Sequence, residues 1–258
     1  MLECDIGVSK WTQITQDWFQ KLYINSDGEP RFSYYYKSKV SEPCVVFELK
    51  TKIAKQLGGY VLIEKDLRDT LNFLNECIKI FAQKDRPERG ILLKGLTRAI
   101  SITYGKCFAQ ADGRKLMLNE RIISTQNKKF HKDLIMMRNE YVAHAGVSIH
   151  EFCRSIFLLP PEKKYKKGQI VNPIHTHEIS QTVISDDFLL NYKQLITEVH
   201  EHVNNKILIL REKMAESISH VSPEEFYKLA KNKGTKRITL NDKDVSKKDN
   251  NMDMSNAK

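Results

Sequence analysis

Long apolar runs are missing from this sequence. No window approaches the roughly eighteen consecutive apolar residues that a membrane-crossing helix requires. Paired cysteines are missing too. Cys4, Cys44, Cys77, Cys107 and Cys153 are odd in number, widely separated and without a C-x-x-C pair. That spacing argues against a disulfide framework and against a thiolate zinc site, and leaves buried free thiols as the expectation. Neither G-x-x-x-x-G-K nor G-x-G-x-x-G occurs, which disfavours the nucleotide folds that cradle phosphate on a glycine-rich loop. The first residues, Met1-Leu2-Glu3-Cys4-Asp5, carry acids and show no basic, then apolar, leader. A secretory signal is therefore not expected, and residence in the cytoplasm is. There is no internal repeat.

What is present suits a packed protein. The chain has 258 residues, of which 41% are hydrophobic and 29% charged. That is enough for one large domain, or one domain with appendages. The net charge of +10 favours a polyanionic partner. Part of that excess sits after Lys231, where solvation alone accounts for it.

The pattern along the chain divides it into three parts. Residues 1–45 form an N-terminal segment. In it Trp11, Ile14, Trp18 and Leu22 recur as on one face of a short helix over Lys10–Leu22, Asn25–Pro30 reads as a turn, and Phe32–Tyr36 as a short strand. Residues 46–220 read as a helical domain. Its pattern turns helical at Val45 and is interrupted at Gly58-Gly59. Tyr60, Ile63, Leu67, Leu71, Leu74, Ile78 and Phe81 then line one stripe. A second helix after Pro87 carries Leu92, Leu96, Ala99, Thr103 and Cys107, and a third carries Phe130, Leu134, Met137 and Tyr141 up to a cap at Gly146. Residues 150–185 break the pattern as a β-hairpin or irregular insertion. Asp186 to about Ser219 is the longest helix, about 50 Å long at about 1.5 Å per residue. Residues 221–258 comprise a short helix, opened by Ser222-Pro223-Glu224-Glu225, and a basic tail with few apolar side chains, expected to be disordered.

The informative run is His131 to Gly146, within which Arg138-Asn139 is followed by His144. It resembles the closing helix of HEPN domains, whose signature is Arg, usually a polar residue, then His after four to six intervening positions. The run Leu92 to Phe108 is similar to the second helix of abortive-infection families of that group. The resemblance covers roughly residues 46–220, apart from 150–185. It implies a mainly α, antiparallel helical bundle and a homodimer with the motifs of both chains facing each other. It also implies a metal-independent endoribonuclease without cofactor, of the kind that acts as a toxin or antiviral effector under the control of an antitoxin or trigger protein.

The residue types suit that chemistry. RNA carries its own nucleophile, the 2′-OH, so cleavage needs a base, an acid for the leaving 5′-oxygen, and positive charge on the phosphorane. His144 can move protons near neutral pH. Arg138 can clamp phosphate oxygens, and Asn139 can orient the His or the phosphate. On an ideal helix positions i and i+6 lie about 120° apart, so Arg138 and His144 do not share a face. Either the helix loosens or the site is built from two chains. Glu140, at i+4 from His144, orients the ring or forms a surface pair.

Other candidates carry less. Lys163, Lys164, Tyr165, Lys166 and Lys167 offer an RNA phosphate and stacking contact, or a solvated loop. His175 and His177 on a strand would share a face, but no third zinc ligand accompanies them. His200 and His202 diverge on a helix and do not chelate. The alternatives to a nuclease are a non-catalytic helical module of the same kind, binding RNA or a protein partner, and a structural dimer built on the long helix.

Overall fold

The structure, a computed structural model, describes residues 10–24, 27–40, 42–110, 114, 116–142, 151–158, 161, 164, 174–180, 185–233 and 237–245. It is mainly helical. Two compact units divide it, residues 56–209 in one and residues 1–55 with 210–258 in the other. Among the described residues no helix is long and apolar enough to cross a membrane.

The unit 56–209 is built on four helices: α1 (Lys52–Ala82), α2 (Arg89–Cys107), α3 (Lys128–Met136) and α4 (Asp186–Ser219). All four contribute to one core, through Leu67 and Leu74 of α1, Ile100 and Tyr104 of α2, Leu134 of α3, and Leu195 and Val199 of α4. In α1, α3 and α4 these are positions the i, i+3, i+4 stripes select, because side chains three and four apart share a helix face. In α2 the buried face is Leu93, Thr97, Ile100 and Tyr104, one residue round from the expected stripe of Leu92, Leu96, Ala99 and Thr103, with which it shares Cys107. The glycine pair is not an interruption, as α1 runs through Gly58 and Gly59 unbroken. Gly59 is buried, and a Cβ there would stand 2.9 Å from Leu116 Cβ. Glycine at this point serves the close approach of the segment after α2, a use that local propensity does not reveal.

A short 3-10 turn (Glu120–Ile122) precedes α3. Glu198 of α4 accepts hydrogen bonds from Ser124 N at 2.7 Å, Ser124 Oγ at 3.1 Å and Asn127 Nδ2, tying the start of α3 to α4. Burial pushes the Glu198 carboxyl up, but these hydrogen bonds outweigh it and hold it below its ordinary range. Burial likewise pushes the Cys77 thiol up to about 11 and the Cys107 thiol up to about 12. Both sit in the core, as expected of unpaired cysteines. The insertion contains an antiparallel ladder of β5 (Glu151–Phe157) with β6 (Ile174–Ser180).

The second unit departs from the sequence reading in three places. Lys10–Leu22 is not helical: β1 (Lys10–Gln13), β2 (Trp18–Ile24) and β3 (Pro30–Tyr36) form an antiparallel sheet in the order β1-β2-β3. The helical spacing of Trp11, Ile14, Trp18 and Leu22 is a coincidence across a turn at residues 14–17, and aromatic side chains favour the pleated surface. Val46–Leu49 is β4, not the start of a helix. Its partner lies in the tail: β7 (Arg237–Leu240) pairs with it in parallel, Val46 opposite Arg237 and Leu49 opposite Leu240. The tail is therefore ordered over 237–245, where β7 is followed by the short α6 (Asp242–Val245), and Ile238 and Leu240 are buried. The helix between, α5 (Pro223–Lys233), starts with a reciprocal capping box, Glu225 N donating to Ser222 Oγ at 3.3 Å and Ser222 N to Glu225 Oε2 at 3.1 Å.

Candidate active site

Arg138 and Asn139 stand where the third helix changes its winding. It is α-helical to Met136 and π-helical from Met137 to Val142. Such a turn closes between i and i+5, is rare, and gathers at functional sites. The helix thus changes its winding within the motif, ahead of His144. His144 and the expected cap Gly146 lie outside the described residues, as does the Glu140 side chain.

Beneath Arg138 lies α2. A Cβ on Gly105 would stand 2.9 Å from Arg138 Cγ and 3.3 Å from its Cβ and Cδ. The aliphatic stem of Arg138 therefore rests on the backbone of α2, in a slot that only glycine leaves open. Its head turns to Asn139, with Nη1 donating to Oδ1 at 2.8 Å. Asn139 is exposed and Arg138 half-buried. Among the described side chains no carboxylate pairs with Arg138, and a neutral amide orients its guanidinium.

Three contacts fix the part of α2 on which Arg138 rests. Tyr104 Oη and His131 Nδ1 share a hydrogen bond at 2.8 Å, and both side chains are buried. His131 precedes Arg138 by seven residues, about two turns along the same face. Burial is the main influence on its ring and lowers the pKa below the ordinary value; Glu120 opposes this and Lys132 adds to it. Burial also pushes the Tyr104 phenol far above its ordinary range, so both groups are neutral near pH 7. At the end of α2, Lys106 Nζ lies 3.3 Å from Oδ1 of Asp66, and Arg114 pairs with the other oxygen of that buried carboxylate. Arg114 Nη1 also donates to the Lys106 carbonyl at 3.3 Å. Removing one partner from a buried ion pair leaves an uncompensated charge, so this clamp holds the last turn of α2 firmly.

The other candidates are placed less closely. Lys163, Tyr165, Lys166 and Lys167 lie outside the described residues; Lys164 is exposed, its backbone N–H donating to Pro161 O at 2.7 Å. His175 is exposed on β6, opposite Ile156. His200 faces α1, its Nε2 lying 3.1 Å from Glu64 Oε1, while Arg68 Nε holds the same oxygen at 3.2 Å. Burial, with Lys206 adding to it, lowers the pKa of His202. One concavity of 650 Å³ lies in the β4–β7 unit and another of 500 Å³ runs along α4; neither is lined by Arg138 or Asn139.

Sequence reasoning singled out Arg138 and Asn139 but not their supports. Gly105 had a signal, an isolated glycine inside a helical pattern, which usually has a packing reason. Tyr104, His131 and Asp66 had none, since their roles exist only once three helices meet. No protein-family model matches the chain, and no curated protein or solved structure matches it either.

Proposed function

We propose that the chain is a metal-independent endoribonuclease, arranged as a HEPN-like antiparallel bundle and acting as a toxin or antiviral effector in the cytoplasm. The observation that carries this reading is the guanidinium of Arg138, anchored by its stem on Gly105 and held by Asn139 at a π-helical turn. A guanidinium oriented by a neutral amide suits the clamping of a phosphate. In the proposed reaction His144 takes the proton of the RNA 2′-OH. The 2′-oxygen forms a bond to phosphorus as the P–O5′ bond breaks, and the leaving oxygen receives a proton from the His144 imidazolium, which returns to its neutral form. The product ends would be a 2′,3′-cyclic phosphate and a 5′-OH. Arg138 stabilises the charge that develops on the phosphorane, and Asn139 orients it. The functional unit would be a homodimer, with a trigger or antitoxin protein as a further partner.

The experiment is cleavage of single-stranded RNA in EDTA, with DNA of the same sequence as the control that lacks the nucleophile. His144→Ala and Arg138→Ala should each lower the rate by about 10²–10⁴-fold while the melting temperature holds. Activity that survives both substitutions removes these residues from the mechanism.

A further inference from the structure

The β1–β2–β3 sheet puts aromatic rings and lysines on a single face. Strand alternation and the register place Trp11, Phe19, Lys21, Tyr23, Arg31 and Tyr35 on it, and no position of that face is an acid. The rings of Trp11 and Tyr35 lie 5.0 Å apart, centroid to centroid, tilted by 55°. Lys39 Nζ stands between two of the rings, 5.6 Å from the centroid of Trp11 and 5.4 Å from that of Phe19. Lys21 Nζ lies 6.0 Å from Trp11. Trp11, Phe19 and Tyr35 are half-buried, so each ring keeps part of its surface in solvent.

The turn that delivers Lys39 is strained. Lys37 has φ +60°, in the left-handed region that favours glycine, and Ser38 N donates back to Tyr36 O at 2.7 Å. The chain thus reverses tightly after β3 and returns an ammonium group over the rings. Partly exposed rings interleaved with cations, on strands that carry no acid on that face, match what a single-stranded polynucleotide presents: unstacked bases and a phosphate at each step. A duplex keeps its bases stacked inside and offers nothing to the rings. An apolar protein partner would leave the ammonium groups of Lys39 and Lys21 desolvated.

We propose that this face binds single-stranded nucleic acid, with bases stacking on Trp11, Phe19 and Tyr35 and phosphates meeting Lys39 and Lys21. The inference rests on the ribonuclease reading only for its interest as a second RNA contact; the binding itself requires no cleavage.

The chain contains two tryptophans, and both lie in this sheet, Trp11 on the proposed face and Trp18 on the opposite one. Full-length Trp18→Phe protein therefore reports on Trp11 alone. Its emission is to be titrated with an oligo(dT), an oligo(rU) and a duplex of matched length, in EDTA. Saturable quenching by both single strands, or by the RNA alone, is the expected result. Lys21→Glu with Lys39→Glu should weaken the affinity at least tenfold and flatten the salt dependence by about 0.7 in log–log slope for each lysine lost. Trp11→Phe protein, which reports on Trp18, should show little quenching. Circular dichroism confirms that each variant is folded. No quenching by either strand, tighter binding of the duplex, or affinity unmoved by the lysine substitutions would overturn the proposal. Because oligo(dT) cannot be cut by 2′-OH attack, loss of binding and loss of cleavage are read separately.

Discussion

At Gly105 the absence of a side chain decides where Arg138 lies. Alanine there would gain about 1 kcal/mol of helix propensity, yet its Cβ would stand 2.9 Å from Arg138 Cγ. The end of α2 is clamped through Asp66, so Arg138 is the group that must give. Gly105→Ala should therefore leave the melting temperature within a few degrees of the parent while lowering RNA cleavage at least tenfold, since a misplacement of about 1 Å can cost about 10²-fold. Unchanged cleavage would show that the slot does not aim the guanidinium. His131 provides a test on stability. Its folded pKa is depressed, so below about 6.5 the unfolded chain binds a proton that the folded chain refuses, and stability falls as pH falls. His202 shifts in the same direction, whereas Glu198, depressed from the carboxylate range, acts only at lower pH. The melting temperature should thus decline between pH 7 and 5, and less steeply in His131→Asn. An identical slope in that variant would remove His131 as a source. Of these residues Arg138 and Asn139 were legible as a motif, and Gly105 left only the trace of an isolated glycine in a helical pattern, because a motif is local and a hydrogen bond such as Tyr104–His131 is not.

The seven-residue segment Arg237–Lys243 shows how an element can hide in a polar tail. Ile238 and Leu240 are 2% and 5% exposed, packed with Phe47 and Phe226, and their strand completes a parallel pair with β4. The Lys52 N–H also donates to Asp242 Oδ1 at 3.1 Å, across 190 residues of chain. Composition suggests that everything after Asn232 is dispensable; the buried strand argues the reverse. Two fully buried aliphatic side chains contribute about 3–6 kcal/mol together, so a chain ending at Asn232 should melt well below the parent or lose the unit that contains β4. A melting curve superimposable on the parent's would show that β7 adds nothing. The same physics separates what was legible elsewhere. The bounds of α4 follow from its own stripe, which repeats over many turns, and the start of α5 from a capping box four residues long. β4 and β7 are four residues each and make sense only as partners. In β1 and β2, aromatics at helical spacing on either side of a turn imitate a face that the strands do not possess.

On the scale of the whole molecule, the proposed reaction joins an arginine on a π-helical turn to a histidine six positions on, and no single regular helix offers both to one phosphate. Two chains related by a two-fold axis can, because each then presents the same residues to the other. Light scattering should therefore find a dimer at micromolar concentration. The sharper test mixes two inactive proteins, Arg138→Ala and His144→Ala, under conditions that let subunits exchange. Random pairing makes half of the dimers mixed. If each site takes its arginine from one chain and its histidine from the other, a mixed dimer holds one site with both lesions and one with neither. Activity should then return to about a quarter of the wild-type value at equal mixing, as two-fold symmetry requires. If arginine and histidine of a site come from the same chain, every site in the mixture keeps one lesion and nothing returns. A monomer, or a dimer whose mixture stays silent after exchange is verified by mass, would place the site within one chain and leave the change of winding at Met137–Val142 to bring the two side chains together unaided.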